Sequence, residues 1–125
     1  ALVGALLVAL GRSIEVRDEQ MNWCVGLSGA AMRSLLPALE GMAQAGIEAG
    51  LPAAEARGVA AQVMAGTAAL VQRTGLGFDG IKALTPMETV DEEALAGLFL
   101  GAARGAKEKI DRLEAKLWRV REPPG

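Results

Sequence analysis

Few residues in this chain could do chemistry, and their scarcity narrows the possible functions before any fold is considered. The sequence has no histidine and no tyrosine. That removes histidine-based metal sites, Ser-His and Cys-His nucleophile pairs, and imidazole acid–base work. The one thiol, Cys24, has no activating base at hand and reads as a small apolar residue rather than a nucleophile. Gly26-x-x-Gly29 resembles a phosphate loop only superficially, because it follows no strand and completes no dinucleotide fingerprint. Close helix packing explains those glycines better. Trp23 and Trp118 read as packing anchors, not as base-stacking platforms. A single cysteine excludes an internal disulfide and fits a reducing cytoplasm. A net charge of -2 with no uncompensated basic face argues against nucleic-acid binding.

The elements that would position any site are helices, and unusually apolar ones. The 125 residues are 51% hydrophobic but only 3% aromatic, with 16 glycines. Such a chain buries surface through small side chains and close helix contacts. The longest apolar stretch runs from Asn22 to Leu51. Leu35, Leu39, Met42 and Gly46 fall on one face with Leu36, Ala43 and Ile47 beside them. So little polar face remains that burial on more than one side is expected. The Gly26–Ala30 run is either a bend before this helix or part of it, and Pro37 should kink it. Gly50 suits the left-handed residue after a helix and Pro52 the first turn of the next. From Ala53 to Gln72, Val59, Val63, Gly66 and Leu70 lie beside Ala60, Met64, Thr67 and Val71, again a pattern for two-sided burial. Phe78–Leu84 is a connecting piece of at most a helical turn.

Pro86 disfavours helix at Thr85, so Thr85-Pro86-Met87-Glu88-Thr89 is a loop. Thr89-Val90-Asp91-Glu92 matches a capping box for a last helix over about Glu92 to Arg119. In that helix Leu95, Phe99, Ala102, Ala106, Ile110, Leu113 and Leu117 approach a coiled-coil seam. Lys107–Asp111 and Glu108–Arg112 are spaced for ion pairs on a solvated face. At the other end, Ala1–Leu10 reads as helix, too short to span a bilayer and without the pattern of a signal peptide. Ser13-Ile14-Glu15-Val16 alternates as a short strand would. Asp18 is placed to cap a helix from about Glu19 to Cys24. The chain opens within an apolar segment that has no cap, so a natural N-terminus upstream is expected.

At Val25-Gly26-Leu27-Ser28-Gly29 the chain resembles the start of the C-terminal dimerisation domain of pyrroline-5-carboxylate reductases. The resemblance continues through Leu39-Glu40-Gly41-Met42-Ala43-Gln44-Ala45-Gly46, Gly50-Leu51-Pro52 and Ala60-Ala61-Gln62-Val63-Met64-Ala65-Gly66-Thr67-Ala68. Upstream, Leu6–Val16 is similar to the last helix and last strand of that family's Rossmann domain. The likeness therefore implies an all-α, interlocked helical dimerisation domain of the 6-phosphogluconate-dehydrogenase C-terminal type over residues 18–122, preceded by a Rossmann remnant over residues 1–17. It implies a homodimer, open to higher assembly, in a cytoplasmic enzyme of proline biosynthesis without nucleic-acid or membrane partners. The parent would use NAD(P)H to reduce a cyclic imine such as 1-pyrroline-5-carboxylate to proline. The fragment alone would be inactive and would bind neither cofactor nor metal.

The family holds its substrate carboxylate in a loop of the form SPGGTT, whose last threonine is credited with assisting imine protonation. By resemblance that loop is Thr85-Pro86-Met87-Glu88-Thr89-Val90. Thr85, Met87, Glu88 and Val90 would then line the substrate, and Thr89 is the remaining candidate for the catalytic hydroxyl. Met87 and Glu88 stand where two glycines let backbone amides close around an anion. Val90 stands where the credited threonine is found. Ala30, Ala31, Met32 and Ser34 likewise replace Ser, Gly, Pro and Tyr of the first motif. These departures leave two readings of the loop, an anion site or a helix-capping connection. They also leave an alternative for the chain as a whole, a non-catalytic dimerisation module of a diverged paralogue.

Overall fold

The computed structural model describes residues 14–121, and among them every regular element is a helix. Helix α1 (Asp18–Val25) runs through a π-helical turn (Gly26–Ala30) directly into α2 (Ala31–Glu48). Helix α3 (Ala53–Arg73) turns back along α2, and a single turn, α4 (Phe78–Lys82), leads to the long α5 (Glu92–Arg121). Helix α5 returns across the π turn, α1 and part of α2. The all-α reading holds. The helix expected at Ala1–Leu10 lies outside the described residues. Ile14–Arg17 carry no regular structure, so the described part of the expected strand is not formed.

The start of α1 corrects the expected cap. Asp18 is the first helical residue, and Arg17 is the cap. The Gln20 side chain reaches back to accept the Arg17 N–H at 2.9 Å. Asp18 and Glu19 then lie in the first turn, where negative charge suits the helix dipole. The π turn answers the question left open at Gly26–Ala30: the run lies inside one continuous helix of α1, π turn and α2. The wider turn falls where Gly26 is pressed against α5. A β-carbon there would sit 2.7 Å from the Ala103 carbonyl oxygen and 3.3 Å from the Ala106 β-carbon. Glycine is required because backbone meets backbone. The Ser28 hydroxyl donates back to the Cys24 carbonyl at 2.8 Å, satisfying an acceptor within the distorted turn.

The α2–α3 hairpin follows from its own sequence. Gly50 adopts φ +97, the left-handed conformation that glycine takes without steric penalty. The Leu51 N–H bonds to the Gly46 carbonyl at 3.0 Å and the Gly50 N–H to the Ile47 carbonyl at 2.9 Å, the paired bonds of a Schellman motif. Pro52 is the N-cap of α3, one residue ahead of the first-turn position expected. The two helices meet at small residues. A β-carbon on Gly46 would come within 2.9 Å of the Ala56 β-carbon, and Ala56 and Ala60 are 1% and 3% exposed. Pro37 is carried inside α2 without ending it.

What one chain cannot do is bury its large side chains. Among the described residues none of them is fully buried. Val59, Val63, Leu70 and Val71 on α3, and Leu95, Leu98 and Leu100 on α5, face solvent. Thus α3 is covered on one side where two were expected. In the expected seam of α5, Phe99, Ala102, Ala106 and Ile110 are half-buried, whereas Leu95, Leu113 and Leu117 are exposed. No described helix is long and apolar enough to cross a membrane.

Candidate functional site

The loop between α4 and α5 brings Thr85, Met87, Glu88, Thr89 and Val90 together on one exposed segment. Two contacts hold its ends. The Thr85 N–H donates to the Lys82 carbonyl at 3.1 Å, and Lys82 Nζ pairs with Glu92 Oε2 at 3.7 Å. Met87, Glu88 and Lys82 border a shallow depression that is open to solvent. Met87 is 80% exposed, so nothing in the described chain closes over it.

The expected capping box is not formed, and the N-cap lies two residues further on. Asp91, not Thr89, caps α5: its carboxylate accepts the Ala94 N–H at 3.0 Å, and its carbonyl accepts the Leu95 N–H at 3.0 Å. Aspartate is at least as good an N-cap as threonine and sits one residue before the helical backbone. The displacement matters for the site. The Met87, Glu88, Thr89 and Val90 amides and the Thr85 and Thr89 hydroxyls make no hydrogen bond among the described residues. Capping does not consume them, and they remain donors. The charge around them opposes an anion, however. Asp79, Glu88 and Glu92 line the same depression as Lys82, and Lys82 is already paired with Glu92.

Elsewhere the chemistry-bearing residues have structural employment. Gly26 lies in a helix, with its N–H directed at the Asn22 and Trp23 carbonyls, so Gly26-x-x-Gly29 cradles no phosphate. Gly26 does serve close packing, as expected; Gly29 has open space at its β-position. Cys24 is half-buried. Among the described residues no group of side chains could hold a metal ion.

Asn22 joins α1 to the Lys107–Asp111 pair of α5, a link that the sequence did not reveal. Asn22 Nδ2 donates to Asp111 Oδ1 at 2.7 Å and to Glu114 Oε2 at 3.1 Å. Lys107 Nζ pairs with Asp111 Oδ2 at 2.6 Å and lies 5.8 Å from the Trp23 ring centroid. The Lys107 hydrogen bond, and then that of Asn22, hold the Asp111 carboxyl below its ordinary range. The expected Lys107–Asp111 pair is thus formed, partly solvated, at the edge of the α1–α5 contact. The expected Glu108–Arg112 pair is not formed among the described residues. Trp23 is anchored by this contact, but Trp118 is 66% exposed and anchors nothing described.

With the geometry established, comparison with known proteins identifies the scaffold. Residues 18–113 match the family model described as pyrroline-5-carboxylate reductase dimerisation. A pyrroline-5-carboxylate reductase from Kluyveromyces lactis is 32% identical over 90% of this chain and 39% of its own length. The Arabidopsis thaliana pyrroline-5-carboxylate reductase is 33% identical over 60% of the chain and 27% of its own. Pyrroline-5-carboxylate reductase 3 of Mus musculus is 35% identical over 59% and 27%. The chain thus spans well under half the length of these relatives. No solved structure gives a significant match. The helical hairpin, the helix packed across it and the family match together show that this chain belongs to the pyrroline-5-carboxylate reductase dimerisation family.

Proposed function

We propose that the chain is the substrate-side dimerisation domain of an NAD(P)H-dependent reductase that converts a cyclic imine such as 1-pyrroline-5-carboxylate to proline. The observation that carries this reading is the family match across residues 18–113, joined by relatives that bear the reductase name. The domain boundary falls near residue 17, and the match beginning at Asp18 supports it. The single cysteine supports a cytoplasmic setting.

The nicotinamide nucleotide does not fit the described residues. They contain no glycine-rich strand–turn–helix, and the amides of Gly26 and its neighbours are spent within a helix. The cofactor would supply hydride from another domain of the parent. This domain's share is the wall facing the substrate and the contact between two copies. Exposed Leu and Val on α3 and α5 support homodimerisation.

In this reading the free amides of Met87–Val90 and the Thr85 hydroxyl orient the substrate's anionic group, and Thr89 supplies the proton-donating hydroxyl. Assay of the full-length parent for NAD(P)H oxidation with pyrroline-5-carboxylate tests the proposal. Turnover that falls in Thr89→Ala supports it. Absence of both turnover and cofactor binding in the parent ends it. The Met87 and Glu88 side chains favour a second reading, a non-catalytic dimerisation module, which the relatives do not favour. There, Met87→Gly, Glu88→Gly and Val90→Thr together would gain no activity in the parent.

A further inference from the structure

The loop between α4 and α5 holds two preferences that a ligand of one charge cannot satisfy. The amides of Met87, Glu88, Thr89 and Val90 and the Thr85 hydroxyl make no hydrogen bond among the described residues, which suits an anion. The depression beside them prefers a cation. Of the residues that line it, Asp79, Glu88 and Glu92 are acidic and only Lys82 is basic. Lys82 Nζ is turned to Glu92 at 3.7 Å, and Glu88 forms no ion pair among the described residues. Glu88 is exposed and stands within the run of unused donors, its Cα about 3.8 Å from those of Met87 and Thr89. A plain carboxylate would meet donors and repulsion together. A ligand with a cation next to its carboxylate would find a partner for each charge.

We propose that Glu88 makes this loop selective for zwitterions. Its carboxylate pairs with the protonated ring nitrogen of a cyclic α-imino or α-amino acid, while the neighbouring amides and the Thr85 hydroxyl take the ligand carboxylate. The ligand class rests on the reductase reading above; the role of Glu88 is added to it. In such acids the nitrogen and the carboxyl group are bonded to one carbon, a spacing that adjacent loop residues can span. Glu92 supports the selection from a distance. By holding Lys82 it withholds the one nearby cation from Glu88, whose negative charge stays available to the ligand. The pairing is solvent-exposed, so its effect on affinity is modest, about two- to five-fold.

Two inhibitors of one shape test the contact in the full-length parent, with NAD(P)H oxidation on pyrroline-5-carboxylate as the readout. L-Proline presents a cationic ring nitrogen; L-tetrahydrofuran-2-carboxylate presents a neutral oxygen in its place. Glu88→Gln should weaken inhibition by proline about two- to five-fold relative to the oxygen analogue, and Glu88→Asp should keep most of proline's advantage. Equal weakening of both inhibitors marks a structural role and overturns the proposal, as does an unchanged ratio. In either case turnover by the parent leaves the reductase reading standing. A parent with neither turnover nor cofactor binding overturns that reading and the role of Glu88 with it. Glu92→Gln gives an independent measurement if Glu88→Gln does not fold. It frees Lys82 to offset Glu88 and should also reduce proline's advantage; an unchanged ratio there counts against the proposal.

Discussion

Replacing Gly26 with alanine tests the closest contact in the fold. The new β-carbon would lie 2.7 Å from the Ala103 carbonyl oxygen, 3.3 Å from the Ala106 β-carbon and 3.3 Å from the Lys107 amide nitrogen. Two of these three atoms are backbone, so no rotamer change relieves the contact; α5 must move off the π turn by several tenths of an ångström. Overpacking of this kind costs about 1–3 kcal/mol, and the upper part of that range applies because the obstruction is a carbonyl. Alanine returns about 1 kcal/mol through helix propensity. The net expectation is destabilisation by about 1–2 kcal/mol. Gly29, three residues on, has nothing within 4 Å of its β-position, so Gly29→Ala should be neutral or stabilise by up to about 1 kcal/mol. Urea unfolding of both variants at one fixed protein concentration reads the difference, since assembly makes stability concentration-dependent. Gly26→Ala at wild-type stability or above would refute the packing of α5 against the π turn.

Three further outcomes follow from the same geometry. Gly46→Ala should destabilise the α2–α3 hairpin through its 2.9 Å approach to Ala56, and adding Ala56→Gly should recover part of the loss; a double-mutant cycle with no coupling would contradict the contact. Asp91→Ala should cost about 0.5–2 kcal/mol as the loss of an N-cap, whereas Thr89→Ala should leave thermal stability unchanged. The reverse order would restore the capping box to Thr89. Asp111 has its pKa lowered in the folded chain, so the stability it adds is complete above the ordinary aspartate pKa and is lost as pH falls through its own lower value. An acid titration of Trp23 fluorescence in a Trp118→Phe background should show release of α1 from α5 below about pH 4. Asp111→Asn should already be loosened at neutral pH, and an unchanged titration in that variant would count against the cluster.

Local signals were readable in the sequence wherever a residue type forces the backbone. Gly50 and Pro52 marked the α2–α3 turn because one favours positive φ and the other lacks an N–H, and the hairpin forms there. The small-residue faces of α2 and the half-buried middle of the α5 seam followed from helical spacing. Long-range chemistry was not readable. Asn22 and Asp111 are 89 residues apart, and nothing in either neighbourhood announces the other. The π turn is fixed by the Ala103 carbonyl across the contact, so its own residues allowed either a bend or a helix. Two helix caps were misassigned for a simpler reason: neighbouring residues competed for the same position. Asp91 takes the cap of α5 that Thr89 could have supplied, and Gln20 completes the start of α1 from within the helix. For the loop, the sequence posed a choice between an anion site and a helix cap. The structure rejects capping by Thr89 and leaves the Met87–Val90 amides as donors in a negatively charged setting.

The account rests on one physical statement, that these helices hold more apolar surface than a single copy can cover. Sedimentation equilibrium of the chain at micromolar concentration measures this directly. The expected mass is at least twice 12.9 kDa, with no dissociation on modest dilution. A stable, soluble species of 12.9 kDa across that range would contradict it, because the exposed faces of α3 and α5 would then need no partner.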